Sequence, residues 1–123
     1  HLTLVSCGAL IHETLLAARE LAHQGIAAEV IDVATISPLD MATILRSVEK
    51  TGRCVVVQEA ARSFGVGSEI SARIGEEALL YLRSPVQRVT GYDTPMPYPK
   101  NENLYMPTAA DIVEAARATL ENA

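Results

Sequence analysis

The run Cys54-Val55-Val56-Val57 constrains the fold more than any other part of this sequence. Four consecutive apolar residues, three of them β-branched, leave no polar face for water, so a strand built from them must be covered on both sides. Such strands lie at the centre of parallel sheets, with helices above and below. The rest of the chain agrees. Leu2 to Val5 is a short apolar strand closed by Ser6-Cys7-Gly8, and Ala28 to Val33 and Val86 to Val89 are two more. Ile11, Leu15, Ala18 and Ala22, flanked by Leu16 and Leu21, recur at three and four and predict a helix that ends at Gln24-Gly25. Ser37-Pro38-Leu39-Asp40 predicts a second helix capped by the Ser37 hydroxyl, with Met41, Ile44, Leu45 and Val48 inward until Thr51-Gly52. Gly65-Val66-Gly67 opens a third, carrying Ile70, Ile74 and Leu79 inward. Thr108 and Asp111 form a capping box ahead of a fourth, whose stripe is Ala109, Ile112, Val113, Ala116 and Leu120. Strand and helix alternate throughout. The class is three-layer α/β with a mainly parallel sheet.

A chain of 123 residues makes one domain, 1–123. With 49% hydrophobic and 20% charged residues it has the composition of a packed globule and not of a disordered segment. No apolar run reaches the ~20 residues that span a bilayer, and a net charge of −5 argues against a nucleic-acid surface. Cys7 and Cys54 are too few for a disulfide framework and suit a reducing, cytoplasmic setting. The chain enters a strand immediately after His1, with neither Met nor a leader pattern, which reads as a piece of a longer protein.

Chemistry is sparse. Cys7-Gly8 stands where a strand meets a helix N-terminus, a place that can activate a thiol, and a phosphocysteine carrier is one reading. The residue six places on is Glu13, which would repel a phosphate, so a buried structural thiol is the preferred one. His12 and His23 lack ligand spacing and read as solvated helix residues. Gly65-x-Gly67 lacks the third glycine of a dinucleotide turn and fits close helix–sheet approach instead. Glu59 ends the most apolar strand, at the sheet edge where small ligands often bind, or else forms an ion pair with Arg62 or Arg53.

One segment breaks the rhythm. From Thr90 to Pro107 no period holds, and Pro95, Pro97, Pro99 and Pro107 alternate with Tyr92, Met96, Tyr98, Tyr105 and Met106. Loops this long in a compact domain are usually functional, and Tyr and Met are common at interfaces, so this one reads as a contact surface.

Within that loop, Gly91-Tyr92-Asp93-Thr94-Pro95-Met96-Pro97-Tyr98 and Glu102-Asn103-Leu104-Tyr105-Met106-Pro107 resemble the C-terminal domain of the beta chain of thiamine-diphosphate-dependent 2-oxo acid dehydrogenases. The resemblance takes in Thr35-Ile36-Ser37-Pro38-Leu39-Asp40, Phe64-Gly65-Val66-Gly67-Ser68-Glu69-Ile70 and Pro85-Val86-Gln87-Arg88-Val89-Thr90, and covers nearly the whole chain. It implies a transketolase C-terminal-like fold, with a five-stranded sheet in which one strand is antiparallel. It implies that thiamine diphosphate and magnesium are bound elsewhere, between the alpha chain and the beta chain's N-terminal domain. No catalytic, cofactor-binding or metal-binding residue is therefore expected here, and the fragment is expected to be inactive alone. The implied role is assembly with an alpha chain and a second beta chain, through Tyr92, Asp93, Pro95, Pro97, Tyr98, Glu102 and Tyr105, and docking to an acyltransferase. The isolated fragment is expected to be a homodimer. An acidic docking residue of several family members is replaced here by Arg83, leaving Glu76 and Glu77 as candidate substitutes.

Overall fold

The computed structural model describes residues 1–7, 10–33, 40–61, 66–91 and 107–121, with the backbone alone at 59–61, 66, 68 and 91. Among the described residues four strands and four helices alternate: β1 (Leu2–Cys7), α1 (Ile11–His23), β2 (Ala28–Asp32), α2 (Met41–Thr51), β3 (Cys54–Ala61), α3 (Val66–Glu77), β4 (Gln87–Gly91) and α4 (Ala109–Glu121). A 3-10 turn, Leu79–Tyr81, follows α3. The strands form one sheet in the order β2-β1-β3-β4, and every adjacent pair is parallel. A fifth, antiparallel strand is not among the described residues.

The apolar run that fixes the class is β3, the partner of β1 on one side and β4 on the other. Alternation sends its residues to two separate cores. Cys54 and Val56 join Val5, Cys7, Ile44, Val48, Ile70 and Ile74 under α2 and α3, while Val55 and Val57 join Leu2, Leu4, Leu21, Ile112 and Ala116 under α1 and α4. Val55, Val56 and Val57 are fully buried, as a strand covered on both faces must be. Pairing is regular from Val55 to Val57 and then shifts, so that Ala61 meets Gly91. Glu59 falls inside that irregular stretch.

Helix ends explain most of the element boundaries. At α4 the reciprocal box forms as expected: the Asp111 amide donates to Thr108 Oγ1 at 3.3 Å, and the Thr108 amide donates to Asp111 Oδ2 at 3.0 Å. The expected cap of α2 is corrected. Asp40 fills that position, accepting from the Thr43 amide at 3.2 Å and the Thr43 hydroxyl at 2.6 Å, and Ser37 lies outside the described residues. Thr43, three residues after Asp40, thus holds both carboxylate oxygens, its amide on Oδ1 and its hydroxyl on Oδ2. Helix α2 ends on Gly52 at φ 75°, whose amide donates to the Val48 carbonyl.

Two inward faces also differ from expectation. In α1 the buried residues are Thr14, Ala17 and Leu21, with Leu10 ahead of them, while Leu15 and Leu16 are 49% and 39% exposed. Thr14 enters the core because its hydroxyl donates to the Leu10 carbonyl at 2.8 Å, leaving no polar group unmet. Past α3, Ala78 takes the buried place expected for Leu79, which is 63% exposed in the 3-10 turn.

Candidate functional site

The carboxyl edge of the sheet is the first place to look for chemistry, and its thiol is the wrong kind. Cys7 ends β1 at 3% exposure; burial, with Asp32 nearby, pushes its pKa up to about 11. Cys54, fully buried at the start of β3, is pushed up to about 12, again chiefly by burial. A neutral, enclosed thiol is a poor nucleophile, so the geometry favours the structural role over the phosphocysteine carrier. Gly67, near the start of α3, allows the close approach expected of it. A Cβ there would strike the Gln58 carboxamide and sit 3.1 Å from Val56 Cγ1.

The proposed pairing of Glu59 with Arg53 is corrected. Arg53 lies just before β3, six residues and thus roughly 20 Å along the strand from Glu59. Its guanidinium is nearly buried, and Nε donates to the Thr119 carbonyl at 3.0 Å, closing the last turn of α4. The Glu59 side chain and Arg62 lie outside the described residues. His12 and His23 are exposed, as solvated helix residues should be. Among the described residues no three His, Cys, Asp or Glu side chains come together as a metal site.

The expected contact surface falls into two parts. Tyr92, Asp93, Pro95, Pro97, Tyr98, Glu102 and Tyr105 all lie outside the described residues. Glu76, Glu77 and Arg83 are described, and they flank one short stretch that the helical period alone places partly in the core. In it Leu79, Leu80 and Tyr81 are 63%, 96% and 53% exposed. The Ala78 amide makes the last α-helical bond, to the Ile74 carbonyl at 2.8 Å, and the 3-10 turn that follows swings three large apolar side chains outward. Glu77 is already engaged by Arg73 at 3.3 Å, one helical turn away, which leaves Glu76 as the acid outside that ion pair.

Arg83 is anchored from behind. Its amide donates to the Gly52 carbonyl at 2.7 Å, and its Cγ lies 2.9 Å from where a Gly52 Cβ would stand. The stem of Arg83 therefore packs on the glycine that ends α2. The knuckle combines apolar bulk with one acid and one base beside it and is held to the body through Gly52. Its signal in the sequence is faint: Leu79-Leu80 continues the helical pattern, and only the end of α3 at Glu77 turns it outward.

Comparison with known proteins decides the family. The family model described as the transketolase C-terminal domain matches residues 1–112. This chain belongs to the transketolase C-terminal domain family. Among similar curated proteins, the pyruvate dehydrogenase E1 component subunit beta of Staphylococcus epidermidis is 49% identical over 98% of the chain, and that of Bacillus subtilis is 47% identical over the same share. The chain spans 37% of the length of each. A solved structure described as a split gene transketolase, an inactive beta4 tetramer, superposes with a TM-score of 0.82 at 32% identity, covering 98% of this chain and 38% of that one. The described residues form the expected α/β class, helices packed on a four-stranded parallel sheet.

Proposed function

We propose that this transketolase C-terminal domain is the assembly and docking part of the beta chain of a thiamine-diphosphate-dependent 2-oxo acid dehydrogenase. Identity of 49% to a pyruvate dehydrogenase E1 beta subunit across nearly the whole chain carries the reading. The parent enzyme oxidatively decarboxylates a 2-oxo acid in the cytoplasm. Thiamine diphosphate supplies the carbanion chemistry when bound, with magnesium, on polypeptide other than this domain. The domain's own work is contact. Segment 92–106, with Tyr92, Asp93, Pro95, Pro97, Tyr98, Glu102 and Tyr105, meets the alpha chain and a second beta chain. The knuckle of Leu79, Leu80 and Tyr81, with Glu76, Glu77 and Arg83, receives the acyltransferase. Three exposed apolar side chains in a row are what a docking surface needs and what an unpartnered one would avoid.

The test separates contact from chemistry. The isolated chain should neither bind thiamine diphosphate with magnesium nor turn over pyruvate. In the full enzyme, Tyr98→Ala with Tyr105→Ala should reduce tetramer assembly, and Leu80→Asp should reduce acyltransferase binding while leaving decarboxylation by free E1 unchanged. Turnover by the isolated chain, or a Leu80→Asp enzyme that docks normally, would refute the corresponding half.

A further inference from the structure

Segment 92–106 joins the described body at two points, and they are held differently. On one side β4 ends in the sheet, where Gly91 pairs with Ala61. On the other, Pro107 is buried and α4 begins. The Thr108–Asp111 box at that start is local: it fixes four consecutive residues against one another and does no more. The hydrogen bond that ties this first turn to the body comes from α1. Glu13 Oε2 accepts from the Ala109 amide at 2.9 Å, across 96 positions of sequence.

The place of Glu13 suits that task. Thr14 beside it is fully buried and bonded to the Leu10 carbonyl, so the turn that carries the carboxylate is fixed. Arg117 donates to Gln24 beyond the other end of α1, so α1 and α4 run in the same direction with their first turns side by side. Helix N-termini are the positive ends, and Glu13 puts one carboxylate at both. Ala109 is the first residue of α4, and its amide has no acceptor within its own helix. Removing the Glu13 carboxylate would leave that donor unmet and two like helix ends adjacent without a charge between them.

We infer that Glu13 is a positioning residue for subunit assembly: it holds the start of α4, and with it the exit of segment 92–106, in the place from which that segment meets its partners. The inference rests on the assembly reading of 92–106 proposed above. Glu13 acts from behind, without touching a partner chain. It sets the fraction of molecules whose α4 end stands ready, and apparent affinity falls in step with that fraction. Loss of one hydrogen bond to a charged acceptor makes the factor about ten.

The test is dissociation of the full enzyme's tetramer on dilution, followed by sedimentation. Glu13→Ala should weaken assembly about tenfold. Glu13→Gln, whose carboxamide oxygen can still accept from Ala109, should recover most of that loss. Ala109→Pro reaches the same bond from the other side and serves if Glu13→Ala misfolds: proline is well tolerated at the first position of a helix, but it removes the N–H. Asp40→Ala, which strips a cap from α2 in the other layer, should lower stability without changing assembly. If Asp40→Ala weakens assembly as much as Glu13→Ala does, Glu13 acts through general stability and the inference is overturned. It is overturned too if the Glu13→Ala and Ala109→Pro enzymes assemble like wild type while Tyr98→Ala with Tyr105→Ala does not. Normal assembly of that tyrosine variant would bring down the assembly reading itself, and this inference with it.

Discussion

Replacing Gly67 by alanine should destabilise this domain, against the usual effect of putting alanine for glycine in a helix. In open helical surroundings that change is favourable by about 0.5–1 kcal/mol. Gly75 offers such surroundings, with no atom within 4 Å of where a Cβ would stand, so Gly75→Ala should stabilise by about that amount. At Gly67 the new methyl meets Gln58, with Cδ at 2.8 Å, and Val56 Cγ1 at 3.1 Å. Neither neighbour has free space to move into, because Val56 is fully buried and Gln58 is 2% exposed. Forcing extra volume into a packed core costs roughly 1–3 kcal/mol, and the helix-propensity gain is small in the first turn. The two variants should thus differ by about 2 kcal/mol. Urea unfolding followed by circular dichroism measures the gap, which at a typical slope is about 1 M between midpoints. If Gly67→Ala unfolds at the same urea concentration as Gly75→Ala, or higher, the tight α3–β3 contact is not what that glycine is for.

Three further outcomes follow from single contacts. Both thiols are raised by burial, so the native state holds their protons longer than the unfolded chain. Stability from this source is complete below pH ~9 and falls as pH rises toward 11 and 12, and a urea midpoint that stays flat above pH ~9 would contradict it. Arg53→Met should cost about 1–3 kcal/mol by leaving the Thr119 carbonyl unmet, seen as a lower midpoint with an unchanged slope. The Thr43 hydroxyl and amide hold the Asp40 carboxyl below its usual range, so its contribution is present above pH ~4 and lost as pH falls through the depressed value. Asp40→Ala should accordingly lower the midpoint near neutral pH and lose that difference in acid.

The sequence is most readable where local chemistry and burial point the same way. Val55-Val56-Val57 has no face it could show to water, and Thr108-x-x-Asp111 closes its own box, so β3 and the start of α4 can be placed without tertiary information. Helix α1 is different. Leu15, Leu16 and Ala18 offer more apolar side chains than Ala17 and Leu21, and Thr14 looks polar until its hydroxyl is seen to be satisfied by Leu10. Two stripes were available, and the sheet chose between them. Leu79 misleads for a related reason: the helical period continues past Glu77, but the helix does not. Arg53 is beyond local reading altogether, since its partner Thr119 is 66 residues away. The contact residues from Tyr92 to Tyr105 rest on the resemblance, and the knuckle beside Glu76, Glu77 and Arg83 becomes visible only in three dimensions.

Val56 and Val57 are neighbours in the chain and strangers in space. One answers to α2 and α3, the other to α1 and α4, and the backbone of a single strand is the wall between them. A change tolerated at one therefore says little about the other, and a volume lost on one side cannot be made up by its sequence neighbour. Compensation must come from across the layer, from Ile44 or Ile74 for Val56 and from Leu21 or Ile112 for Val57. The two halves of the domain can drift apart in sequence, each repacking on its own terms, so long as the wall stands.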